Sequence, residues 1–207
     1  LAPAFIQVQF RIELPSVLEV IVLVFAFSAE ILGEISSFYE IFPFWDTVLH
    51  TMNGFLAAAI GFSLVDLLNR SDRVKFELSP LYLAIVSFCF SMTIGVIWEF
   101  FEFGMDQLFG FDMQKDAIVH SISSVMLDPT HTNHAIHISD ITQVTVNGQD
   151  LDLGGYLDIG LIDTMEDLIV NFIGAVVFSV FGFLYVKNRG KKDSIISRFV
   201  PHRKSDD

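Results

Sequence analysis

Residues 95–110 carry three carboxylates at helical spacing, the pattern in this chain most suited to chemistry. Glu99, Glu102 and Asp106 stand at offsets of three and seven, so a helix places all three on one face. Carboxylates stacked in this way repel one another unless a cation or a proton lies among them. The preceding run, 81–98, has no charged residue and is long enough to cross a bilayer. Acids at the end of a membrane span predict a functional site, because ionisable groups at membrane depth are costly.

The composition predicts a multi-pass membrane protein. Of 207 residues, 52% are hydrophobic and 22 are Phe, and the mean hydropathy is +0.55. A net charge of -13 argues against nucleic acid as a partner and favours cations, since a phosphate backbone would be repelled. Cys89 is the single cysteine, which excludes a disulfide framework and suggests a packing residue.

Four apolar stretches predict an all-α membrane protein, a four-helix transmembrane bundle with a small extracytoplasmic β-hairpin insertion. The predicted spans are about 14–33, 46–69, 81–103 and 161–186. Residues 1–105 then hold spans one to three, 106–160 an extracytoplasmic acidic segment, 161–187 span four, and 188–207 a basic cytoplasmic tail. Within the acidic segment, alternating residues on either side of Asn147 and Gly148 predict a hairpin with a type I′ turn.

The positions of Lys and Arg predict the orientation in a bacterial cytoplasmic membrane. Basic residues follow span two and span four: Arg70, Arg73, Lys75, Lys187, Arg189, Lys191 and Lys192. By the positive-inside rule both visible termini are cytoplasmic and the hairpin segment is outside. The acid and imidazole groups at the span ends would then share the external level.

These groups form the predicted metal set, which is His50, Glu99, Glu102, Asp106, Asp163 and Asp167. The predicted supporting residues are Asp46, Asn53, Asn171, Glu30 and Glu34. Carboxylates with one imidazole suit a divalent cation such as Zn, Mn or Mg. The structural alternative is that the acids cap helix starts, form protonated pairs or meet headgroup water. A second group indicates either a metal site or a solvated loop: His120, His131, His134 and His137, with Asp128 and Asp140.

The pattern resembles the VanZ-like membrane proteins, which have an Asp and a His one turn apart, a later acid, and an Asp-rich run opening the last span. The matching residues are Asp46 and His50, Glu99 with Glu102, and Asp163, Asp167, Leu168, Asn171 and Gly174. It also resembles the YjdF-type bacterial inner-membrane proteins, through Glu99 with Glu102 and the run Asp163-Thr164-x-x-Asp167. The resemblance covers about 14–186, with 120–158 as an insertion. It implies the architecture above, an association with glycopeptide resistance, and a site for a lipid or other amphiphile.

Three functions are consistent with this sequence. The first is a binding or accessory protein whose external pocket holds a divalent cation and receives the headgroup of a lipid or lipid-linked cell-wall precursor. The second is a metal-dependent hydrolase of membrane lipids or polyprenyl phosphates, with His50 or Glu102 as general base and a cation held by Glu99, Asp163 and Asp167. The third, a cation or proton-coupled transporter, is disfavoured because Asp66 and Glu19 stand alone at the cytoplasmic end. Self-association as a homo-oligomer is left open.

Overall fold

The computed structural model describes residues 12–13, 16–69, 78–187 and 202–203. Three features of the sequence prediction fall outside these ranges: the start of span one, the basic link with Arg70, Arg73 and Lys75, and nearly all of the basic tail.

Helices account for most of the described residues. They are α1 (Ser16–Phe27), a π-helical segment (Ser28–Ile35), α2 (Phe38–Ile41), α3 (Trp45–Asn69), α4 (Pro80–Phe109) and α5 (Leu161–Lys187). Among the described residues, α3, α4 and α5 are long and apolar enough to cross a membrane. These three helices correspond to predicted spans two, three and four.

The first predicted span differs from the other three. Its α-helical part, α1, has only 12 residues before the backbone changes to π geometry at Ser28. The Ser28 carbonyl accepts a hydrogen bond from Trp45 Nε1 at 3.3 Å, and a donor from outside a helix disturbs its ladder. Gly33 of the same segment packs against the Tyr39 ring. Four membrane spans therefore remain a prediction.

Short antiparallel strand pairs make up the β structure. The pairs are β1 (Ile12–Glu13) with β8 (His202–Arg203), β2 (Ile118–Val119) with β7 (Tyr156–Leu157), β3 (Ile122–Ser124) with β4 (Ile136–Ile138), and β5 (Thr145–Val146) with β6 (Gln149–Asp150). The predicted hairpin is confirmed as β5–β6. Asn147 and Gly148 have φ of 54° and 82°, the positive values that a type I′ turn requires.

The chain divides into two compact units. Unit 1 comprises Leu1–Trp98 with Glu166–Asp207, and unit 2 comprises Glu99–Met165. The core of unit 1 lies among α3, α4 and α5 and is built from the fully buried residues Ala58, Ala59, Phe62, Leu83, Ala175 and Phe178. Small residues at this core allow the helix backbones to approach closely.

Contacts between α3 and α5 show that these two helices run parallel. Asn53 is hydrogen-bonded to Asn171, and the Phe62 ring lies 6.4 Å from the Tyr185 ring. The partner's residue number rises as the number along α3 rises. Within unit 1, α3 and the part of α5 from Glu166 onward therefore run in the same direction, as the order of the spans predicts.

Contacts between α3 and α4 show that these two helices run antiparallel. The Ser91 hydroxyl donates to the Gly54 carbonyl at 2.7 Å, and the Ser87 hydroxyl donates to the Ala58 carbonyl at 2.6 Å. Here the partner's number falls as the number along α4 rises. Spans two, three and four therefore alternate in direction, as predicted.

Glycines allow α3 and α5 to touch through their backbones. A Cβ added at Gly54 would overlap the Asn171 carbonyl, and one added at Gly174 would overlap the Thr51 carbonyl. Backbone atoms cannot move aside as a flexible side chain can. This crossing therefore requires glycine on both helices.

We expect Gly174→Ala to lower the free energy of unfolding by about 1–3 kcal/mol, because the methyl group overpacks the α3–α5 crossing. Gly104→Ala is the matched control, since nothing lies within 4 Å of an added Cβ there. It should raise stability by roughly 0.5–1 kcal/mol, the usual gain on replacing a helical glycine. Denaturant titration in detergent micelles measures both, and a shift in the same direction for both variants would contradict the packing argument.

Candidate functional site

His50 lies between two carboxylates in unit 1. It follows Asp46 by one turn of α3, and its Nε2 atom is 3.6 Å from Asp46 Oδ1 and 3.4 Å from Asp167 Oδ2. His50 is 8% exposed and Asp167 is 4% exposed, although both belong to helices apolar enough to span a membrane. The structure thus brings together three residues that the sequence predicted to share a site.

The spacing of these atoms suits a shared cation. With metal–ligand distances of roughly 2.0–2.2 Å, two ligands on a tetrahedral ion lie roughly 3.4 Å apart. The observed distances of 3.4 and 3.6 Å between the imidazole and the carboxylates are close to that value. Imidazole nitrogen and carboxylate oxygen are both common ligands of divalent cations.

A layer of uncharged polar groups lies one helical turn after His50 and Asp167 in the same unit. Asn53 Nδ2 donates to Asn171 Oδ1 at 3.4 Å, and Asn171 Nδ2 lies 3.7 Å from the Met92 sulfur. Asn171 is 1% exposed, and a Cβ added at Gly95 would lie 2.7 Å from its Nδ2 atom. Residues of α3, α4 and α5 thus meet at one buried amide.

The buried face of α4 changes from uncharged to acidic residues along the helix. Buried positions recur every three or four residues, at Leu83, Ser87, Ser91, Gly95, Glu99 and Glu102. In unit 2, carboxylate oxygens of Glu99 and Glu102 lie within 4.8 Å of one another. Two buried acids this close are stable only when a proton or a cation balances their charge. The sequence predicted this shared face from the offset of three.

Asp106 and Asp163 have a structural role within unit 2. Asp106 accepts the backbone N–H of Met113 at 2.6 Å and of Gln114 at 2.9 Å, one on each oxygen. Asp163 Oδ2 accepts the backbone N–H of Lys115 at 2.8 Å. These two acids hold the segment after α4 in place. Metal binding by Asp106 and Asp163 stays a prediction.

Asp158 completes this set of backbone acceptors. It accepts the N–H of Ala117 at 2.7 Å and the N–H of Ile162, in the first turn of α5, at 2.8 Å. Burial alone would raise the pKa of Asp158, but the backbone N–H groups of Ala117, Ile162 and Gly160 lower it. The pKa of Asp116 is shifted in the opposite direction. Burial raises the pKa of Asp116, and the nearby carboxylates of Asp112, Asp158 and Asp106 raise it further.

The second histidine group is a structured loop in unit 2. His131 occupies a turn with φ of 53°, and His137 on β4 is hydrogen-bonded to the Ser123 hydroxyl at 2.8 Å. The Asp128 carboxylate organises this loop, because bonds from the Thr130 hydroxyl and from the backbone of Thr130, Thr132 and His134 hold its pKa well below the usual range. Within the part of the chain that the structure describes, no cluster of metal-ligand side chains includes these histidines.

The structure also shows the surroundings of other residues that the sequence singled out. Glu30 and Glu34 are exposed on the π-helical segment. Cys89, expected to pack in the core, is exposed, because it is two residues from Ser87 and so lies off the buried face of α4. Asp66, which the sequence placed alone at the predicted cytoplasmic end, is buried in α3.

Met92 and Ser91 were missed by sequence reasoning. Ser91 stands eight residues before Glu99, on the same helical face, and this offset was the available signal. No signal pointed to Met92, because its role depends on Asn171 of another helix.

A family model described as "Predicted membrane protein (DUF2238)" matches residues 1–188. No curated protein and no solved structure matches the chain. The match supports the expected membrane-protein family, whereas the resemblance to VanZ-like or YjdF-type proteins in particular remains a prediction.

The opposite pKa shifts of Asp158 and Asp116 predict opposite effects of neutralisation. A lowered folded pKa means that Asp158 contributes stability above its ordinary pKa and that this is lost as the pH falls through the lowered value. We expect Asp158→Asn to cost about 1 kcal/mol at neutral pH, as loss of a helix-start acceptor does. Amide exchange at Ala117 and Ile162, with thermal unfolding, measures the loss.

Asp116→Asn is the matched comparison in the same segment. Because the folded pKa of Asp116 is raised, its ionised form weakens the fold at neutral pH, and the cost disappears once acid protonates it. Asp116→Asn should therefore raise the unfolding temperature at neutral pH and match the wild type in acid. Destabilisation by Asp116→Asn at neutral pH would refute this assignment.

Proposed function

Because the chain belongs to the DUF2238 family of predicted membrane proteins, we propose that it is a multi-pass protein of a bacterial cytoplasmic membrane that binds a divalent cation through His50 and Asp167. In this proposal four helices span the membrane, the visible termini are cytoplasmic and the site opens outward. The cation is Zn, Mn or Mg, the ions that imidazole and carboxylate ligands suit.

The supporting observation is the His50–Asp167 pair with Asp46 beside it. Two of these three groups are buried within helices apolar enough to span a membrane, and Nε2 of His50 points to oxygens of both acids. A buried carboxylate is costly unless it is paired or coordinates a metal. Ionisable groups inside a span accordingly mark functional positions by default.

That Glu99 and Glu102 are further ligands stays a prediction. Within unit 2 the two side chains are buried, and their carboxylate oxygens lie within 4.8 Å of one another. That Asp106 and Asp163 are also ligands stays a prediction. Their oxygens accept backbone N–H groups of residues 113–115, and a carboxylate that accepts such bonds keeps lone pairs for a cation.

A phosphate group is the anion that such a cation would receive. Mg²⁺ in proteins is commonly held by one or two carboxylates and keeps its other positions for water and substrate phosphates. In an outward-facing membrane site, that phosphate belongs to the headgroup of a lipid or of a lipid-linked cell-wall precursor. The acidic character of the chain, with a net charge of -13, favours a bridging cation for an anionic ligand.

We expect His50→Ala and Asp167→Asn each to weaken binding of Mn²⁺ and Zn²⁺ by more than roughly tenfold, since even outer partners of metal ligands have effects of that size. His137→Ala and Asp152→Asn are matched controls, because they remove the same groups from exposed positions in unit 2. Calorimetric titration of the detergent-purified protein measures affinity, and elemental analysis measures the metal it retains. A wild-type protein that holds and binds no divalent cation would refute the proposal, as would an equal loss in the controls.

The lipid part of the proposal has a separate readout. Mass spectrometry of lipids that copurify with the wild type should find phosphate-bearing lipids, and their amount should fall after chelation and in His50→Ala. An unchanged lipid content in both cases would limit the proposal to the cation alone.

A further inference from the structure

We infer that Asn171 is the positioning residue of the cation site, holding α3 and α5 at the separation and rotation that His50 and Asp167 require. This inference rests on the proposed function. It adds to the proposed metal ligands a residue that does not bind the ion but holds the helices that carry them.

Two rungs connect the parallel helices α3 and α5. The first is His50 with Asp167, and the second is Asn53 with Asn171, at offsets of three and four residues along the two helices. Since adjacent turns of a helix move together, the length and direction of the second rung determine how the first can form. The Asn53–Asn171 bond therefore acts on the ligand pair without touching the ion.

The amide of Asn171 also connects the pair to α4. Its Oδ1 atom accepts from Asn53, while its Nδ2 atom faces the Met92 sulfur at 3.7 Å. One side chain thus contacts both of the other long helices, using its acceptor on one side and its donor on the other. Directional bonds of this kind specify how a helix is rotated about its axis, which apolar contacts alone specify less sharply.

The surroundings of Asn171 hold it in one arrangement. Its carbonyl occupies the space where a Cβ of Gly54 would lie, and its side chain lies 2.7 Å from the Cβ position of Gly95. At 1% exposure the residue has no route to solvent. A buried amide that lost its partners would carry a substantial desolvation cost, so the two contacts are retained together.

Positioning at this level matters because metal ligands tolerate little displacement. A functional metal site requires ligand distances within about 0.2 Å of their preferred values. A small rotation of α5 would move the Asp167 oxygen away from His50 Nε2 by more than that. Asn171 prevents the rotation at a point one turn from the ligand.

The test compares Asn171→Leu with Ser87→Ala. Leucine keeps the number of side-chain heavy atoms and the branch at Cγ, and it removes both polar contacts. Ser87→Ala removes a bond between α3 and α4 of 2.6 Å at Ala58, two turns beyond His50, and it serves as a control for general loss of packing. Co²⁺ is the probe, because its visible absorption reports ligand geometry as well as occupancy.

We expect Asn171→Leu to weaken Co²⁺ binding roughly 10- to 100-fold and to shift the Co²⁺ absorption bands, as changes behind the ligands do in other metal sites. Ser87→Ala should lower the unfolding temperature and leave Co²⁺ affinity and spectrum unchanged. Asn53→Leu removes the same rung from α3, so it should reproduce the Asn171→Leu spectrum, and it replaces that variant if Asn171→Leu does not fold. The double variant should bind no more weakly than either single one.

Three results would overturn the inference. Unchanged Co²⁺ affinity and spectrum in Asn171→Leu and Asn53→Leu would show that the rung does not position the site, while the proposed function would stand. An equal loss in Ser87→Ala would assign the effect to packing. A wild-type protein that binds no Co²⁺, Mn²⁺ or Zn²⁺ would remove the proposed function and the inference together.

Discussion

Backbone contact between α3 and α5 is the constraint on which unit 1 depends. Gly54 and Gly174 leave no space between the two helices, so each helix meets a carbonyl of the other where a side chain would otherwise stand. Since lipid supplies no hydrophobic force between helices, such close packing is a main source of their association. The side chains next to the crossing then have few alternatives, and His50, Asp167 and Asn171 are buried beside it.

Burial gives the acidic residues of this chain two distinct kinds of role. Asp167 lies in a helix that is otherwise apolar, beside an imidazole, where its charge must be compensated locally. Asp106, Asp158 and Asp163 lie in unit 2 and accept N–H groups of the backbone, and these hydrogen bonds favour the charged form of a carboxylate. The same residue type therefore supplies a candidate ligand in one unit and a structural acceptor in the other.

Much of the architecture could be predicted from local pattern. The apolar lengths of α3, α4 and α5 and the Asn147–Gly148 hairpin depend on residues close together in sequence, and the structure has all four. The first span was less predictable, because its change to π geometry involves Trp45, 17 residues after Ser28. The strand pairs β2–β7 and β3–β4 were not foreseen, because strands of two or three residues are too short to show an alternating pattern.

By itself, the sequence determined which side chains share a helical face, since that follows from a repeat of 3.6 residues: Asp46 with His50, Glu99 with Glu102, and Asp167 with Asn171. Only the tertiary structure decided which faces meet. There His50 lies beside Asp167 and Asn53 is hydrogen-bonded to Asn171, while oxygens of Asp106 and Asp163 accept hydrogen bonds from backbone N–H groups. The physical reason is that a carboxylate's role depends on which donor or charge approaches it, and those groups come from residues distant in the chain.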